Sequence, residues 1–154
     1  MLVASVAIAI HAVAAAVWVG GMFFAYAVLR PSLGAFEPQH RLTLWSNVFS
    51  RFFVWVWIAV IALPLSGYWM VFFYFDGFGS AGMHIHIMHL LGLVMIGLFL
   101  LLYFRPYPGF REGVAAKDWP RAAKHLNNIR RIVGINTIIG LVTIIVGASG
   151  RLWS

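Results

Sequence analysis

The chain has 154 residues, 62% of them hydrophobic and 10% charged, with a mean hydropathy of +0.90. A water-soluble domain of that length cannot bury so much apolar surface, which excludes a soluble fold. The net charge of +7 is spread over connections rather than gathered on one patch, so nucleic acid is not an expected partner, and the absence of cysteine excludes disulfides, thiolate metal sites and cysteine nucleophiles.

A bilayer core of about 30 Å takes roughly 20 helical residues to cross. Four stretches meet that length, at about 2–29, 52–75, 82–104 and 132–149, and none contains Asp, Glu, Lys or Arg. Charge at mid-bilayer costs a few kcal/mol, so this partition is the one expected of membrane spans. The sequence therefore predicts an all-α integral membrane protein, one transmembrane domain over residues 1–154 built as an up-down four-helix bundle.

The first stretch has no Lys or Arg ahead of it and is too long for a cleaved signal, so it is read as a retained helix carrying His11 and Trp18. The second contains Pro64 followed by Ser66 and Gly67, where a kink is expected because proline lacks a backbone donor. Trp55, Trp57, Tyr68, Trp69, Tyr74, Tyr103 and Tyr107 fall near predicted ends and read mostly as headgroup anchors. The third stretch opens on Met83-His84-Ile85-His86-Ile87-Met88-His89.

Beyond it, Arg105-Pro106-Tyr107-Pro108-Gly109 breaks the chain, and Asp118 with Pro120 is expected to cap a short basic amphipathic helix at about 119–128, lying on anionic lipid. His40 and His125 read as loop histidines. In the fourth stretch Asn136, Gly140, Thr143 and Gly147 share a face, a small-residue seam for close helix approach with Asn136 as an interhelical donor.

Orientation follows from the charges. The first connection carries Arg30, Arg41 and Arg51 against Glu37, the second only Asp76, and the third seven basic residues against Glu112 and Asp118. The positive-inside bias then places the first and third connections in the cytoplasm and both termini on the periplasmic side of a bacterial inner membrane.

Histidine is expensive in lipid, so His11, His84, His86 and His89 mark the candidate site. At about 1.5 Å per residue, His11 lies roughly 14 Å from Leu2 and His89 roughly 10 Å from Gly82, similar depths on helices that both start outside. Two chemistries compete. A haem b takes imidazoles from separate helices with room for a flat macrocycle between them, and His11 beside Ala14 and Ala15, with His89 one turn before Gly92, meets that description. A copper site takes His and Met ligands together, as offered by Met83, His84, His86, Met88 and His89. A third reading, an accessory subunit packing in a homo-oligomer or a larger complex through its small-residue seam, requires no metal.

His11, then Trp18, Gly20 and Phe23, resembles the first-helix signature of the bacterial membrane protoporphyrinogen oxidase family, a haem-binding four-helix group. The same opening, the His86 and His89 pair, and Ile129-Arg130 followed by Asn136 resemble the related copper resistance protein D superfamily. The oxidase resemblance implies haem at His11, although the arginine after the Trp-x-Gly and the third-helix lysine of that pattern are missing here. The resulting expectation is a haem b protein passing electrons, an oxidoreductase-like activity. Its expected iron ligands are His11 and His89, with His86 as substitute, Trp18 at the haem edge, and quinone or a soluble redox partner at either end of the path. The alternative is a copper-binding membrane protein for copper uptake or resistance.

Overall fold

In lipid, backbone N–H and C=O groups have only each other as partners, and each apolar stretch accordingly becomes a helix. The computed structural model describes residues 2–153. Helix α1, Leu2–Phe23, continues through a π-helical turn, Phe24–Leu29, into a final turn, Arg30–Ser32. Helices α2 (Pro38–Phe73), α3 (Met83–Phe104), α4 (Pro106–Ala115) and α5 (Trp119–Ser149) follow, and a 3₁₀ turn, Gly150–Leu152, ends the described chain. Four helical spans are long and apolar enough to cross a membrane: Leu2–Ser32, Pro38–Phe73, Met83–Ala115 and Trp119–Leu152. The architecture is the all-α four-helix membrane bundle expected from the sequence.

Two boundaries differ from expectation. Helix α2 begins at Pro38 rather than near residue 52, since Leu42, Trp45 and Phe49 already run along a buried helical stripe while Arg41 and Arg51 stay off it. No separate helix occupies 119–128. Asp118 does cap a helix there, its carboxylate accepting from the Arg121 N–H at 3.1 Å, but Leu126 and Ile129 carry the buried stripe onward and α5 runs unbroken to Ser149. The short amphipathic helix is instead α4, which buries Tyr107, Phe110 and Gly113 and exposes Arg111 and Glu112.

The helices approach unequally. Helices α1 and α2, α3 and α5, and α4 and α5 pack closely, whereas α2 and α3 meet through large side chains. At the basic end those side chains fill the space: Phe53 lies 4.7 Å from Tyr107 and 5.7 Å from Phe99 between ring centres, and Phe49 lies 5.7 Å from Phe110. Edge-to-face contacts of this kind add roughly 0.5–1.5 kcal/mol each beyond burial. Toward the opposite end, nearer the start of α3, the same wide gap is not filled.

Candidate metal site in the unfilled half of the bundle

That gap is a cavity of about 190 Å³ bounded by α1, α2, α3 and α5. Its floor is Trp18, only 2% exposed and edge-on to Phe99 at 6.2 Å. Its wall near the α2–α3 connection includes Phe75, Phe78 and Ile85. The lining is almost wholly apolar, and the polar or soft donors in it are few: His11, His89, Tyr68, Thr143 and the thioethers of Met70, Met88 and Met95.

Each histidine is held by α2. His11 Nδ1 lies 2.9 Å from Ser66 Oγ, and that hydroxyl donates its own hydrogen to the Ala62 carbonyl at 2.6 Å. Ser66 can therefore only accept from His11, which puts the imidazole hydrogen on Nδ1 and leaves the lone pair on Nε2. The Leu63 carbonyl, 3.2 Å from the same hydroxyl, is a second acceptor for the Ser66 hydrogen. Gly67 lets the ring sit close, because a Cβ there would lie 3.3 Å from His11 Cε1. On the facing helix, His89 Nε2 lies 2.8 Å from the Tyr68 hydroxyl, with the two rings edge to face at 5.4 Å. Phe78 covers both His89, at 5.1 Å, and His86, at 5.7 Å.

The methionines are set by the small-residue seam of α5. A Cβ at Gly147 would lie 2.8 Å from Met88 Cε, and one at Gly140 would lie 3.1 Å from Met95 Cε, so each glycine leaves room for a thioether of α3. Asn136 donates to the Met95 carbonyl at 3.3 Å, the interhelical bond expected of it, and Thr143 Oγ1 stands 4.0 Å from Met95 Sδ.

The sequence-predicted residues thus divide. His11, His89, Trp18 and Met88 meet at the cavity. His86 is exposed beside Phe78 rather than in the lining, and Met83 is 63% exposed. His84 is buried against Gly150 and Trp153 on another face of α3. Met83, His84, His86, Met88 and His89 therefore do not form one ligand cluster. Helical geometry turns about 100° per residue, which spreads seven consecutive positions around the whole helix. Among the described residues no group of three or more His, Cys, Asp or Glu side chains could hold a metal, so a metal here would need thioethers as well as imidazole. Ser66, Gly67 and Tyr68 were not read as site residues from sequence. Their signal was present in the small and polar residues just after an intramembrane proline. His125 is not a loop residue either: it lies on α5 against Gly109 of α4.

The fold and this site define a polytopic membrane protein whose apolar bundle encloses soft-metal donors. The sequence pattern of the copper resistance protein D family matches residues 46–149, most of the chain, and the protein belongs to that family. His11 precedes the matched stretch. No curated protein and no solved structure shows significant similarity to the chain.

Family membership overturns the expectation of a haem b protein carrying electrons and, with it, the iron ligation and oxidoreductase chemistry assigned to His11 and His89. The match is to the copper resistance half of the resemblance, and the porphyrinogen oxidase half has no counterpart in it. The geometry gives the physical reason. The cavity of about 190 Å³ is smaller than the roughly 300–1,000 Å³ of pockets that take drug-sized molecules. His89 Nε2 is engaged by the Tyr68 hydroxyl, which leaves only Nδ1 of that ring for a metal.

Proposed function

We propose that the protein binds copper as cargo in the cavity between α1, α2, α3 and α5 and takes part in copper uptake or resistance. The observation that carries this reading is the convergence of His11, His89, Met70, Met88 and Met95 on one apolar-lined space inside a bundle of this family. Thioether sulfur suits cuprous ion and imidazole suits both copper states, whereas hard cations prefer carboxylate and carbonyl oxygens, and no carboxylate lines this cavity. In this reading His11 Nε2 is the leading imidazole ligand, Met88 and Met95 supply sulfur, and Ser66 and Tyr68 orient the rings. The basic connections lie in the cytoplasm, so both termini and the cavity's nearer end face the periplasm of an inner membrane. Trp18 and Phe99 close the path toward the basic end, which favours capture and hand-over at the outer side as the first step.

The test is Cu(I) binding by detergent-purified protein in competition with a chromophoric chelator. About one equivalent per chain is expected. His11→Ala and the double variant Met88→Leu/Met95→Leu should each weaken binding at least tenfold, while Met83→Leu, outside the cavity, should not. Binding that is absent in the wild type, or indifferent to His11, would refute the assignment.

A further inference from the structure

At the basic end Arg30, Arg41 and Arg130 stand near one another, and no ion pair among the described residues joins any of them to a carboxylate. Arg30 lies over the Tyr26 ring at 5.1 Å, and Arg30 and Arg41 are the charges that act most strongly on Arg130. The Nε of Arg130 is buried with no hydrogen-bond partner among the described residues. The ion pairs among the described residues lie elsewhere, at Glu112 with Arg121 and Glu37 with His40. Like charges held this close without a counter-charge are costly, and a bound anion is the simplest way to offset them.

A groove begins at Tyr26, the ring beneath Arg30, and runs along the outside of the bundle. Arg131 stands in it, and Phe23, Tyr26, Ala27, Gly134 and Ile138 line it between α1 and α5. Tyr26 and Ala27 of the π-helical turn Phe24–Leu29 form one wall, and Gly134 lets the Tyr26 ring sit close, because a Cβ there would lie 2.8 Å from Tyr26 Cε2. Helix α1 runs toward the basic end and α5 runs away from it, so the groove extends from the arginines toward the bilayer centre. A phosphate-bearing headgroup joined to an acyl chain has that shape and that order of polarity.

We infer that one anionic phospholipid binds here, its phosphate on Arg30, Arg41 and Arg130 and an acyl chain in the groove beside Tyr26 and Gly134. The lipid closes the α1–α5 seam at the end where the bundle is already tightly packed. This site is separate from the copper cavity and does not depend on it.

Native mass spectrometry of delipidated protein, titrated with phosphatidylglycerol, with phosphatidylcholine of the same chains and with inorganic phosphate, tests the inference. One phosphatidylglycerol per chain is expected, at least tenfold tighter than either competitor. Arg30→Gln/Arg130→Gln should lose that preference, and Arg30→Lys/Arg130→Lys should keep most of it. Ala27→Phe, which fills the groove from a lipid-exposed position, should weaken phosphatidylglycerol binding tenfold without touching the arginines, so the result does not rest on how well the arginine variants fold. Equal binding of the two lipids would overturn the inference. So would unchanged binding in Ala27→Phe, or phosphate binding as tight as the lipid, which would point to a free anion.

Discussion

Ser66 decides which nitrogen of His11 carries a hydrogen, and so which one can meet a metal. Its hydroxyl spends its single hydrogen on the Ala62 carbonyl, and His11 must then donate to it. Removing such an outer partner typically lowers metal affinity by roughly 10–100-fold. Ser66→Ala is accordingly expected to weaken Cu(I) binding by about that factor, with Ser66→Thr restoring most of it. Chelator competition on the three proteins checks this, and equal affinities in all three would remove Ser66 from the site. The two histidines were legible in the sequence because imidazole within an apolar helix calls for a partner or a cavity, and both do line one. Their α2 partners were not. A tyrosine near a helix end reads as a headgroup anchor, and a serine after proline reads as part of a kink, so neither residue announces the histidine it holds. The Met83 to His89 run misled in the opposite way, because adjacency in sequence is not adjacency around a helix.

Between elements, the joint of α4 with α5 brings backbone against backbone. A Cβ at Gly113 would lie 2.9 Å from the Ala122 nitrogen and 3.0 Å from its Cα, and backbone atoms cannot swing aside as a side-chain tip can. Gly113→Ala should therefore force the two helices apart at a cost of about 1–3 kcal/mol. Gly97→Ala, where a Cβ meets nothing within 4 Å, should leave stability unchanged or slightly higher through helix propensity. Thermal unfolding in detergent separates the two, and equal midpoints would mean that the joint yields. The membrane-crossing part of each helix was legible from uninterrupted apolar sequence. The early start of α2 and the existence of α4 were not, since both lie in charged segments where only a periodic stripe, Leu42-Trp45-Phe49 or Tyr107-Phe110, betrays burial.

For the molecule as a whole, the two ends of the bundle differ in packing as well as charge. Phe49, Phe53, Phe99 and Tyr107 make the basic end dense, and the cavity occupies the other half. In the proposed copper function, the side of the membrane that receives the metal depends on orientation, and orientation rests on charge alone. The α2–α3 connection carries only Asp76 and the turn after α5 only Arg151, whereas the other ten basic residues lie toward the opposite end. The chain has no cysteine, so a single introduced thiol reports its own side without background. Ser80 and Lys124 are both exposed and lie at opposite ends. Ser80→Cys should react with a membrane-impermeant maleimide on intact spheroplasts, and Lys124→Cys only after lysis. The reverse pattern would open the cavity's nearer end to the cytoplasm, and copper capture would then belong to export from the cell interior rather than to uptake from outside.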